Sequence, residues 1–425
     1  MLDFFIAIFL GSFAFAVYHK IGLGFLQTSV FRFNDVIFGS DFFRFIGDLA
    51  KLEASHHRTG VHPLFVLIFN PLGRFFTDVF GSPELAALFI CNFFGALNIA
   101  LFYLIIRKLG ANRLLSIVCT LVYEFSMTAL VWSSVTESFS ISCFGAMLLF
   151  LIYLSNLSDR SFYPIYGIAS LIAFGVLTTN IVPIILLLWA RLRKNGSSKL
   201  FSDFSKITLF ICAVVGVAAG LAWVQKILYP SSFYFLDPKT YAREMRLFVY
   251  YDIIEKPYIL FTQVLPHFLA FNFVAPGFSV NFEHKPLIGF DYSLRGILPK
   301  IAVILWCVWV VWSIVLIVRK KIYLKTIFRA LVAYELFYIV LHCFYGVIEQ
   351  FLYSLHYAFG IVLMMALPHC QIKQGKSKSA SLLVLALFFV VFGFELAANI
   401  SFIRDTLAFL FGSDFQTWVN QALGL

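Results

Sequence analysis

The sequence predicts an all-α polytopic membrane protein, and three observations carry that prediction. Of 425 residues, 61% are hydrophobic and only 13% charged, against roughly 25% charged in a soluble globular domain. The mean hydropathy is +0.90. The apolar residues gather in runs long enough to cross a hydrocarbon core, which takes about 20 helical residues. Together these exclude a soluble globular enzyme. The net charge of +10 does not point to nucleic acid, because the basic residues sit in short clusters between apolar runs, where they act as orientation signals.

About eleven transmembrane helices are predicted, near 3–19, 85–106, 114–133, 138–155, 163–178, 181–190, 207–228, 298–318, 328–347, 352–368 and 381–400. The first run has only Tyr18, His19 and Lys20 behind it in place of a small-residue cleavage signature, so it reads as a retained helix. The pair at 163–178 and 181–190 is short and interrupted by Thr178, Thr179, Asn180 and Pro183, so it also suits one broken hairpin that dips partway. Seven cysteines form no CxxC or CxH group, which leaves them as small core residues. No internal repeat and no soluble domain is visible.

Orientation follows from the short connections. One set carries Arg107, Lys108 and Arg113, then Arg191, Arg193 and Lys194, then Arg319, Lys320 and Lys321. The alternating set, near 134–137, 178–180 and 348–351, has no Lys or Arg. Because cytoplasmic loops retain positive charge, the N-terminus is expected in the cytoplasm and the tail from about 401 outside. The chain then divides into a module over 1–228 that includes a first outer loop, 20–84, a second long outer loop over 229–297, and C-terminal helices with a short outer tail over 298–425. Both long loops hold apolar stretches too short to cross, such as 61–69 and 258–274, which read as helices lying in the interface. Asn399-Ile400-Ser401 is an outward-facing sequon, of consequence only in an endoplasmic reticulum membrane.

Most polar chemistry falls in these outer segments. In the first loop Ser40 can cap a helix starting at Asp41, which sets Asp41, Arg44 and Asp48 on one face. The result is a carboxylate held at the membrane surface, with Asp35 as a rival acid; the same spacing also suits a solvated face with an Asp–Arg pair. Downstream, His56, His57 and His62 fall within seven residues. Their spacing matches no tight zinc pattern, and Pro63 is a good first-turn residue for a helix beginning near His62. With Arg58 beside it, that helix start suits an anion such as phosphate.

Further along, Glu137 has no partner in its own loop, so it needs a ligand, a cation or a hydroxyl, or it complements the dipole of the following helix. Glu349, Tyr353 and His356 form a polar stripe on one helical face, which in a membrane helix points inward. Glu124, Glu335 and Glu395 lie isolated inside apolar runs, where interhelical hydrogen bonds are their expected use. In the second loop Arg243 and Arg246 lie about one turn apart and suit bidentate phosphate recognition, though local pairing with Glu244 and Asp252 is the plainer alternative.

The motifs Gly39-Ser40-Asp41, His57-Arg58, His62-Pro63-Leu64 and Ser134-Val135-Thr136-Glu137-Ser138, set in this pattern of spans and two long outer loops, resemble the integral-membrane GT-C superfamily of polyprenyl-phosphate-dependent glycosyltransferases. The chain departs from members that carry a large soluble C-terminal domain, and it lacks the WWDYG signature of the oligosaccharyltransferase branch. The resemblance implies that the first-loop acid is the general base, a role carried to Asp41 with Asp35 in reserve. Arg58, Arg243 or Arg246 then hold the phosphate, with His57 and His62 beside them. Glu137, Glu349, Tyr353 and His356 bind sugar or acceptor hydroxyls. The implied partners are a polyprenyl-phosphate sugar donor, a glycan, lipid or protein acceptor, and membrane lipid, with no nucleic acid. No cofactor is certain; a divalent metal is used by some relatives and not by others. The rivals are a transporter or flippase, which places charges near the midplane and shows matching halves, and an assembly subunit, which needs none of these acids.

Overall fold

The computed structural model describes residues 1–194, 200–245, 258–282, 285–294, 296–345, 350–370 and 378–423. Six helices are long and apolar enough to cross a bilayer: α1 (Leu2–Gln27), α4 (Pro83–Lys108), α10 (Leu200–Leu228), α13 (Ile297–Arg319), α14 (Thr326–Phe344) and α16 (Lys378–Phe411). Their length follows from composition, because each is an apolar run with charges confined to its ends, and 20 residues at 1.5 Å rise cover about 30 Å. Shorter apolar helices lie beside them, α7 (Phe139–Leu154), α12 (Leu260–Phe271) and α15 (Leu355–Cys370). Among the described residues the chain is a polytopic all-helical protein apart from one small hairpin of strands.

The basic connections meet at one end of the bundle. Asp3 at the start of α1 accepts from Arg107 Nη2 at 3.1 Å and from Arg113 Nε at 2.9 Å. These bonds tie α1 to the turn between α4 and α5 (Arg113–Glu124). Arg191, near the end of α9 (Ile181–Lys194), reaches Asp159 at the start of α8 (Asp159–Val176) at 2.7 Å. Thus α8 and α9 form an antiparallel pair. Its tip meets the loop between α1 and α4: Thr178 N donates to Val61 O at 3.0 Å and Leu64 N to Gly175 O at 2.7 Å.

The expected single span over 114–133 is broken. α5 ends at Glu124, and α6 (Met127–Trp132) starts after a break at Phe125 and Ser126. Backbone irregularity inside a membrane protein persists only where the protein satisfies the freed groups. Here Ser126 caps α6, and the next two amides, Met127 N and Thr128 N, donate to the carbonyls of Phe273 and Asn272 at 2.9 Å each. Asn399 on α16 completes the joint: its Nδ2 donates to Phe125 O and Phe273 O, and its Oδ1 accepts from Ala275 N, at 2.6 to 2.8 Å. Asn399 is fully buried, so the sequon is not an outward-facing acceptor. Asn399→Leu is expected to cost at least about 2 kcal/mol, since it orphans two buried backbone groups, Phe125 O and Ala275 N, and leaves Phe273 O with Met127 N alone, and thermal unfolding in detergent measures it. No glycan should be found at Asn399 after expression through an endoplasmic reticulum.

The second outer loop is not built of interfacial helices alone. After α11 (Pro238–Glu244) comes α12, wound as π-helix over Leu260–Val264 and His267–Phe271. Strands β1 (Phe278–Phe282) and β2 (Pro286–Phe290) then pair antiparallel with Val280 opposite Ile288. Their period-two pattern, Phe278, Val280, Phe282, is a strand signal hidden inside an aromatic-rich loop. The hairpin clasps the first loop: Ile288 N donates to Val36 O at 2.7 Å and Phe38 N to Ile288 O at 2.9 Å. The tail joins the same end, where α16 continues to Phe411, past the expected limit at 400, and α17 (Ser413–Leu423) sets Trp418 4.6 Å from the Phe33 ring.

Glu124, Glu335 and Glu395 are buried, and none of their carboxylate oxygens has a hydrogen-bond partner among the described residues. The expected interhelical bonds are not made. Beside Glu124 the available donor is spent on the backbone, as the Tyr18 hydroxyl bonds the Glu124 carbonyl at 3.0 Å. All seven cysteines are free; Cys91, Cys119, Cys143 and Cys343 are buried, whereas Cys212 and Cys307 are exposed.

Candidate functional site at the outer-loop end

The first loop supplies most of the site. Helix α2 (Phe42–Ala50) follows the period of its apolar residues, burying Phe42, Phe45, Ile46 and Leu49. It begins at Phe42, with Asp41 at the N-cap, one residue later than the spacing predicts. Ser40 does not cap it, for its buried hydroxyl has no partner among the described residues. Asn34 does so, its Oδ1 accepting from Phe43 N and Arg44 N at 3.1 and 3.3 Å. Helix α3 (Phe65–Phe80) likewise starts after the predicted place, with Leu64 at its N-cap and His62 and Pro63 in the preceding turn. The two helices cross so closely at Gly73 that a Cβ there would overlap the Leu49 carbonyl oxygen.

Glu137, in the turn between α6 and α7, is the hub. Its Oε1 accepts from Asp41 N at 2.6 Å, and its Oε2 accepts from Arg58 Nη1 and Nη2 at 3.3 Å each and from Ser138 N at 3.1 Å. The side chain is 1% exposed. The partner missing from its own loop is therefore Arg58, with the start of α2, and both carboxylate oxygens are engaged by the protein itself. Burial pushes the Glu137 carboxyl up, against the pull of Arg58 and the two backbone N–H donors. Burial also works against the Arg58 charge, but the Glu137, Asp41 and Asp48 carboxylates outweigh it and hold the guanidinium protonated.

Asp41 stands beside this pair. Its carboxylate accepts from Arg44 Nη1 at 2.6 Å and is part-exposed. Asp48, seven residues on, does not share that solvated face. It is buried and accepts from His56 Nδ1 at 3.0 Å, while His56 Nε2 faces Leu52 O at 3.1 Å. Among the three histidines, His56 is thus the buried partner of an acid. The sequence reading passed it over for His57, whose ring is half-buried and meets Ser55 Oγ at 2.9 Å. Three polar residues in a row carry no signal of which one turns inward.

Asp48, Arg58, Thr59, His62 and Ser138 line a crevice with the rings of Phe45 and Phe65 and with Val66. It is polar on one wall and apolar on the other, and in this conformation too tight for a water molecule. His62 Nδ1 lies 2.6 Å from Val176 O, an oxygen that only accepts, so this nitrogen carries the proton and Nε2 the lone pair. Burial, with Arg58 nearby, lowers the His62 imidazole to about 3 despite that bond. A folded value below the ordinary 6.5 means that stability is complete above pH 6.5 and declines as the pH falls toward 3, because only the unfolded chain takes up the proton. Between pH 7 and pH 5 the loss should be about 2 kcal/mol; chemical unfolding at the two values should show His62→Gln losing less than wild type.

The other predicted residues fall around this centre. Asp35, with φ +63°, pairs with Lys285 at 2.6 Å at the seam between the loops. The second loop docks where Thr59 Oγ1 donates to Phe233 O at 3.0 Å and accepts from Phe233 N at 2.7 Å. There Thr240 of α11 abuts Gly60. Arg243 lies on α11, though its side chain is outside the described residues, as are Arg246 and Glu349. Tyr353 precedes α15, which starts at Leu355, so the predicted stripe is not one helical face. Tyr353 stacks on His342 with ring centroids 5.1 Å apart, and His356 meets Phe139, next to Ser138, edge-on at 5.3 Å. Among the described residues no three His, Cys, Asp or Glu side chains group to hold a metal ion.

Comparison with protein families, with curated proteins and with solved structures finds no match to this chain.

Proposed function

We propose that this protein is a multi-pass glycosyltransferase that moves a sugar from a polyprenyl-phosphate carrier to a glycan, lipid or protein acceptor on the non-cytoplasmic face. The observation that supports this most is the meeting, at one end of the bundle, of Arg58, Asp41, Asp48 and Glu137 from separate segments beside apolar α2 and α3 surface. A lipid-borne phosphodiester needs both kinds of surface, a cation for its phosphate and an apolar wall for its chain. In this reading the α5–α6 pair counts as one crossing and α8 and α9 as two, which with α7, α15 and the six long helices makes eleven, the GT-C-like number. Positive loops at the opposite end support an N-terminus in the cytoplasm, and a bacterial inner membrane is the compartment this reading takes.

In this reading Asp41 takes the proton of the acceptor hydroxyl, the acceptor oxygen bonds the anomeric carbon, and the bond to phosphate oxygen breaks with its electron pair. Arg58 and the basic residues of α11 hold the departing polyprenyl phosphate. Glu137 keeps Arg58 in place. One displacement inverts the anomeric centre. The test supplies the purified protein with polyprenyl-phosphate sugars and follows carrier consumption; no consumption with any sugar and acceptor offered sinks the reading. A carrier of the same lipid is the second reading, favoured by buried Glu124, Glu335 and Glu395, which have no hydrogen-bond partner among the described residues. It predicts passage across vesicles with the carrier left intact.

A further inference from the structure

Asp48 is the one carboxylate that lines the crevice. Its Oδ1 is fixed by His56 Nδ1 at 3.0 Å, and its Oδ2 makes no hydrogen bond among the described residues. The support is rigid: His56 is fully buried, its Nε2 is anchored on Leu52 O at 3.1 Å, and its ring lies edge-on to Tyr229 at 5.4 Å. Asn70 Nδ2 adds bonds to Asp48 O and Lys51 O at 2.9 and 3.0 Å, tying the end of α2 to α3. A carboxylate held on one oxygen and open on the other is an oriented acceptor.

The chemistry of the donor it awaits follows from what surrounds it. One oxygen of Asp48 is already bonded to His56, Arg58 is committed to Glu137, and the rings of Phe45 and Phe65 with Val66 form the facing wall. No metal-binding group of three is present among the described residues. A carboxylate oxygen beside an apolar wall suits a hydroxyl carried on a carbon ring whose apolar face lies against the aromatic rings.

We infer that Asp48 is the specificity residue of this site, accepting hydrogen bonds from hydroxyls of the sugar that the lipid phosphate carries, and that His56 is its positioning residue. This rests on the glycosyl-transfer reading for the identity of the ligand and adds that the sugar itself is gripped within the crevice. The crevice must open to admit it.

Binding tests this without turnover. The probes are polyprenyl-phosphoryl glucose and arabinose, and polyprenyl methyl phosphate, a phosphodiester of equal charge with no hydroxyls. Wild-type protein in nanodiscs should bind at least one glycosyl lipid about tenfold or more tightly than the methyl diester, as hydrogen bonds to a charged group allow. Asp48→Asn should remove that preference and leave methyl diester affinity unchanged, and His56→Gln should remove part of it. Equal affinity of the wild type for all three lipids, or equal weakening of all three by Asp48→Asn, overturns the inference even if transfer is observed. A wild type that prefers the glycosyl lipid and never consumes it overturns the transferase reading and leaves the role of Asp48 standing.

Discussion

Asp41→Asn should lower carrier consumption by about a hundredfold or more, the usual contribution of a general base, in a protein that unfolds at the wild-type temperature. The structural cost is small because the bond that matters for the fold runs from the Asp41 backbone N–H to Glu137, which an asparagine keeps. Asparagine is also as good an N-cap as aspartate. What the variant loses is the ionised oxygen now facing Arg44. Single-turnover measurement of sugar release from the polyprenyl phosphate separates the chemical step from lipid binding. Unchanged turnover removes Asp41 from the role of base, and cysteine labelling that places position 41 on the cytoplasmic side removes the outward orientation with it.

Arg58→Met should destabilise the protein by about 3–5 kcal/mol, because it strands a buried carboxylate whose other contacts are backbone N–H groups. Glu137→Leu should do comparable damage from the other side, since it strands Arg58 and frees the start of α2. The double variant Arg58→Met with Glu137→Leu should recover most of the lost stability, as apolar replacements of buried ion pairs do, yet remain inactive. Thermal unfolding of the four proteins completes the cycle. If Arg58→Met alone unfolds like the wild type, the pair does not anchor the site. If the double variant consumes carrier normally, Arg58 is not the group that holds phosphate.

The seam between the loops shows why the site was only partly legible. Glu137 and Arg58 are 79 positions apart. The lack of a partner for Glu137 in its own loop and the fitness of Arg58 for an anion are readable in the sequence; their meeting is not. Asp41 and Asp48 share a helical period with Arg44, yet the start of α2 and its packing on α3 at Gly73 turn Asp48 inward and leave Asp41 at the rim. A rotation of one helix about its axis changes nothing in composition and decides which acid meets the crevice. The break after Glu124 was likewise hidden within an apolar run, because the groups that satisfy it, Asn399 and the carbonyls of Asn272 and Phe273, come from far along the chain.

From the sequence alone one could read an all-helical chain with several helices apolar and long enough to cross a membrane, since hydropathy acts locally, residue by residue, against lipid and water. Only tertiary structure decided which acid is paired with which base, that Asn399 faces inward, and that the second loop lays a strand beside the first. Those outcomes depend on distances of a few ångströms between segments far apart in the chain, where a hydrogen bond forms or fails on geometry that no single segment encodes.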